Sequence, residues 1–113
     1  MKSCLIRADA SPRLGTGHVM RCLAFAQAWQ HADGRVVFLH SETTGALEQR
    51  LRDRGMELVR GSFAPGSAGD AAQTIEQAGV QGAMWVVADG YQFGAEWQKQ
   101  IKDAGLQLLL LDC

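Results

Sequence analysis

Arg7-Ala8-Asp9-Ala10-Ser11-Pro12-Arg13-Leu14-Gly15-Thr16-Gly17-His18 is the stretch whose reading decides the fold. A short apolar run, Cys4 to Ile6, leads into it, and an apolar-rich helical pattern follows directly. Strand, glycine-bearing turn and helix start, in that order, are how an open α/β sheet builds a ligand crevice at the carboxyl ends of its strands. The turn is set apart by its polar cargo. Asp9 stands where the strand ends and His18 where the helix begins, and the packing of a strand–turn–helix unit demands neither.

Outward from this stretch, the same unit repeats. Strands are predicted at 3–8, 36–39, 56–59, 84–88 and 106–111. Helices are predicted from His18 or Val19 to His31, from a Thr43 or Thr44 cap to Arg54, over 71–78 behind an Asp70 cap, and over 95–104. Gly34, Gly55 and Gly79 stand behind helices as stop signals. Residues 61–69, with Pro65 and small neighbours, read as a flexible loop. Strands this uniformly apolar, separated by helix-length crossovers, predict a parallel sheet with helices on both faces, an α/β Rossmann-like fold in the order 3-2-1-4-5. That order makes the first and fourth strands neighbours. The Asp9–Gly17 turn then faces Asp89-Gly90-Tyr91 across one crevice.

The chain has 113 residues, 47% hydrophobic and 20% charged, which fits one globular domain. A formal net charge of -1 and the lack of a Lys/Arg stripe argue against nucleic acid and membrane as partners. Three widely spaced cysteines argue against a disulfide framework and suit a reducing cytoplasm. Cysteines and histidines lack metal-ligand spacing, so neither a metal nor another cofactor is expected. Leu108 to Leu111 reads as a strand whose following loop opens at Asp112-Cys113, so this chain is expected to be the amino-terminal domain of a longer protein or a natural fragment, the plainer alternative being a complete small α/β protein.

Within the crevice, Gly15 and Gly17 let backbone N–H groups approach a ligand, although a plain turn has the same need. The chain lacks both the full dinucleotide glycine spacing and a phosphate-loop lysine. His18, at a helix N-terminus, sits where the dipole favours neutral imidazole, the form a general base requires; helix capping is its plainer role. Asp9 is placed either to hold the imidazole or to meet substrate hydroxyls. Arg21, one turn on, either anchors an anionic substrate group or pairs with an acid such as Asp9. Asp89 either binds sugar hydroxyls or orients the histidine, or simply caps a turn, and Tyr91 stacks or donates a hydrogen bond. Cys22, without a base of its own, reads as a packing residue. His31 reads as a wet helix end, and His40 as a loop residue after the second strand.

Two segments carry a family resemblance. Arg7-Ala8-Asp9 followed by Gly15-Thr16-Gly17-His18-Val19-Met20-Arg21-Cys22-Leu23, and the strand ending in Asp89 and Tyr91, resemble the nucleotide-sugar hydrolases of pseudaminic acid synthesis. Those enzymes release UDP from a diacetamido trideoxyaltropyranose and are relatives of the two-domain GT-B glycosyltransferases. Ala88 and Cys113 stand where the family has Val and Asp. The resemblance implies the amino-terminal half of a GT-B-like fold and hydrolysis of a UDP-sugar without a metal. It further implies that His18 acts as general base on water at the anomeric carbon. Asp9, Asp89 and Tyr91 fall at cleft positions that arrange sugar or base, and a carboxy-terminal domain supplies most nucleotide contacts. Gly-x-Gly-His alone also fits the related glycosyltransferases, which use an acceptor in place of water.

Overall fold

A computed structural model describes residues 2–10 and 17–111. Its parallel sheet comprises β1 (Ser3–Ala8), β2 (Arg35–His40), β3 (Glu57–Arg60), β4 (Ala83–Asp89) and β5 (Gln107–Leu110). The spatial order is β3-β2-β1-β4-β5, the order expected from the sequence. Between the strands run α1 (Gly17–His31), α2 (Gly45–Asp53), α3 (Ala68–Gln81) and α4 (Ala95–Asp103). β1 lies at the centre, with Ile6 opposite Phe38 on one side and Val87 on the other. Being covered on both faces, it needs no polar alternation, which is why Cys4-Leu5-Ile6 reads as a continuous apolar run.

The period of two still decides which helix each strand residue meets. Cys4, Ile6, Ala8, Val36, Phe38 and Val87 pack with Val19, Cys22, Leu23 and Ala26 of α1 and with Leu47 and Leu51 of α2. Leu5, Val37, Leu39, Val86 and Ala88 pack on the other face with Ala71 and Ala78 of α3 and with Trp97 and Ile101 of α4. Each fully buried Leu, Ile or Phe here contributes about 1.5–3 kcal/mol. Two functional consequences follow from this alternation. Arg7 shares its face with Leu5 and points toward α3, whereas Asp89 shares its face with Val87 and points toward α1.

Three local expectations are corrected. Asp70 does not cap α3: Ser67 does, its Oγ accepting from the Asp70 N–H at 3.1 Å, and the helix starts earlier than predicted. With the cap supplied three residues upstream, the Asp70 carboxylate is released for another partner. Gly79 lies inside α3, and the helix stops at Gly82, whose φ of 68° is the left-handed conformation that glycine adopts without strain. His40 is the last residue of β2 rather than a loop residue, buried and within 3.3 Å of the Glu48 carboxylate. Its desolvation outweighs the pull of Glu48 and lowers its pKa, so the ring rests neutral. Thr44 caps α2 as expected, its side chain accepting from the Leu47 N–H at 3.2 Å.

Candidate functional site

The carboxyl ends of β1 and β4 are adjacent, with Ala8 paired to Asp89, so the start of α1 and the loop after β4 meet there. Three side chains converge. Asp89, fully buried, accepts from His18 Nδ1 at 2.7 Å through Oδ1. It also accepts from Arg21 Nε at 2.7 Å through Oδ2 and from Arg21 Nη2 at 2.8 Å through Oδ1. His18 and Arg21 reach one carboxylate because residues three apart on a helix share a face. Burial works to raise the Asp89 pKa, but the hydrogen bonds and charges of Arg21 and His18 override it and bring it below the ordinary carboxylate value. Asp89 is therefore an anion at neutral pH, with acceptor capacity only.

That fixes the histidine's tautomer. A carboxylate cannot donate, so Nδ1 carries a hydrogen and donates it to Asp89. In the neutral ring Nε2 then keeps its lone pair. Arg21 Nη2 lies 3.2 Å from Nδ1, but both are donors, so this is a crowded approach to a shared oxygen rather than a bond. Cys22 Sγ stands 4.0 Å from Asp89 Oδ2. Burial first, then the Asp89 charge, drives its thiol pKa far up, so it packs as a thiol and is no nucleophile.

Asp9 has a different setting from the one that would hold an imidazole, and Asp89 takes that part instead. Its Oδ1 accepts from Arg7 Nη1 at 2.8 Å and from the Ser41 and Glu42 N–H groups at 2.7 and 3.1 Å. Arg7 also donates through Nε to Asp70 Oδ1 at 2.8 Å and through Nη2 to Ser41 Oγ at 3.0 Å. Its guanidinium lies 5.0 Å from the Phe93 ring centroid. Arg7, Asp9 and Asp70 are all buried, and Asp70 in turn accepts from the Gly66 N–H at 2.7 Å. One buried cation thus ties the ends of β1 and β2 to the approach to α3. Asp9 Oδ2 is buried and has no hydrogen-bond partner among the described residues.

The remaining expected residues are placed as follows. Arg21 pairs with Asp89 and not with Asp9. Gly17 opens α1, and a Cβ there would meet nothing within 4 Å among the described residues. Tyr91 is 78% exposed in the loop after β4, two residues beyond Asp89. Gly90, between them, has φ 145°, a conformation that favours glycine, and the Gln92 side-chain amide folds over it. Gly15 and Asp112 lie outside the described residues. His31 is exposed in the last turn of α1. Among the described residues, no group of three His, Cys, Asp or Glu side chains could hold a metal ion. A separate concavity of about 580 Å³, lined by Trp29, Trp85, Lys2 and Asp33 among others, sits at the opposite, amino edge of the sheet.

Compared with models of known protein families and with curated proteins, the chain matches none. Solved structures do match. The likeness is to MurG. The crystal structure of Acinetobacter baumannii MurG superposes with a TM-score of 0.70 at 17% identity, over 99% of this chain. The chain spans 35% of that structure's length. MurG is a GT-B protein, and the likeness gives this chain the fold of one Rossmann-like half of that architecture. Among the described residues, no helix is long and apolar enough to cross a membrane.

Proposed function

We propose that this chain is the base-bearing half of a two-lobed nucleotide-sugar hydrolase, with His18 Nε2 as the general base. The observation that carries the reading is the 2.7 Å contact of His18 Nδ1 with the buried Asp89 carboxylate, which in the neutral ring places the hydrogen on Nδ1 and the lone pair on the outer nitrogen. Nε2 takes a proton from water as the water oxygen bonds to the anomeric carbon. The bond from that carbon to the UDP oxygen breaks, and UDP leaves with the electron pair. His18 then returns the proton to solvent. UDP is a good leaving group, so a positioned water and charge stabilisation at the diphosphate suffice without a metal or other cofactor.

Asp9 fits a sugar-side role. Its Oδ2, without a partner among the described residues, is an acceptor, which suits a hydroxyl or acetamido N–H better than a phosphate. Tyr91, exposed beside Asp89, is free to stack on or donate to the sugar. Arg7 is engaged by two carboxylates and Arg21 by Asp89, so the diphosphate is assigned to a second, nucleotide-binding lobe. Choice of the pseudaminic acid precursor rests on the resemblance of the Asp9, Gly15–Leu23 and Asp89–Tyr91 segments. The free thiols Cys4 and Cys22, both buried, suit a cytoplasmic protein.

A transferase reading has its own support, because MurG is a GT-B glycosyltransferase. An acceptor hydroxyl would then replace water before the same base. The two are separated by incubating the two-lobed protein with a UDP-linked deoxy diacetamido sugar in chelator, with and without acceptor. Hydrolysis predicts UDP release at one rate in both. Release only with acceptor favours the transferase, and loss in chelator restored by a divalent cation contradicts the metal-free step.

This chain alone supplies one wall of such a site and excludes little water. Calorimetric titration of UDP into it is expected to show no micromolar binding. Micromolar affinity would contradict the assignment of the nucleotide to a second lobe.

A further inference from the structure

We infer that Arg21 is a positioning residue for His18: its guanidinium fork locks the Asp89 carboxylate in the plane that meets Nδ1 and offsets its charge. The inference rests on the reading of His18 as the base. A carboxylate held by one donor can turn about its last side-chain bond. Two parallel contacts, Nε to Oδ2 at 2.7 Å and Nη2 to Oδ1 at 2.8 Å, remove that freedom. The lone pair of Oδ1 is thereby aimed at the imidazole 2.7 Å away.

The charge argument is separate. An unpaired aspartate beside an imidazole favours the imidazolium, which cannot act as a base. With Arg21 on the same carboxylate, the pair is neutral overall. The positive end of α1, where His18 sits, acts in the same direction. Among the described residues, the groups that face Asp89 are Arg21 and His18, with Cys22 held as a neutral thiol; the neighbouring Ala8, Val19 and Val87 are apolar.

Nitrogen NMR of the His18 ring and carbon NMR of the Asp89 carboxyl group in Arg21→Gln and Arg21→Lys test both halves without using turnover. The Arg21 side chain is half exposed, so either substitution leaves the core untouched. The parent chain is expected to show the Nδ1–H tautomer. Arg21→Gln is expected to add the Nε2–H tautomer and to raise the pH at which the Asp89 carboxylate protonates, because the hydrogen bond and charge of Arg21 hold it down. Lys keeps the charge without the fork, so Arg21→Lys is expected to mix the tautomers while moving the Asp89 midpoint less. A parent-like tautomer in both variants overturns the locking role, and an Asp89 midpoint unmoved in Arg21→Gln overturns the charge role. Should His18 prove dispensable for turnover, the base reading fails while these NMR measurements still decide the part of Arg21.

Discussion

His18→Ala is expected to lower kcat of the two-lobed protein by about 10³-fold, the middle of the range for a positioned general base. KM should move far less, because the imidazole acts on water and not on the groups that hold the sugar nucleotide. The fold should survive, since His18 lies at the start of α1, clear of the side chains that fill the two cores. Steady-state rates across pH for parent and variant check this. A variant with near-parental kcat would reduce His18 to a helix-start residue and end its assignment as base.

Arg7→Ala is expected to destabilise the domain by about 3–5 kcal/mol, because it strands two buried carboxylates. Asp9 and Asp70 both rest on that guanidinium, and neither has water to turn to. The change also empties the space beside Phe93. For a domain of this size the loss is a large share of total stability. Urea unfolding of the isolated chain measures it. A loss below about 1 kcal/mol would mean that the triad is solvated and cheap, against its burial. The function would suffer with the fold, because this cation joins the loops that floor the crevice.

The sheet was legible because its signals are local and mutually consistent. Apolar runs mark the strands, the Thr44 cap marks α2, and Gly34 and Gly55 stand behind helix ends, whereas Gly79 misled. The strand order followed from the commonest doubly wound half, and the order alone brought His18 and Asp89 to one edge. The pairing of Arg21 with Asp89 was not read from the sequence, which offered a substrate anion or an acid such as Asp9, because spacing along a helix face does not say which acid it meets. Geometry selects Asp89, which shares the strand face of Val87 and so points at α1.

The buried triad was not legible. Arg7 and Asp70 are 63 positions apart, and nothing local links them. Ser67 and Asp70 are both acceptable caps, and the choice between them is settled by where the carboxylate finds a cation. The arginine itself was the available clue: Arg7 falls within a strand buried on both faces, where a charge requires partners. His40 was misplaced by a one-residue error in the end of β2, enough to turn a buried strand position into a loop.

The central claim is that water, activated by His18, attacks the anomeric carbon. Its most direct test is turnover of the UDP-sugar by the two-lobed protein in water labelled with heavy oxygen, read by mass spectrometry. The account predicts the label on the anomeric oxygen of the released sugar, none in UDP, and almost no labelled sugar from His18→Ala. Label in the UDP phosphate, or labelled sugar formed equally fast by His18→Ala, would contradict it.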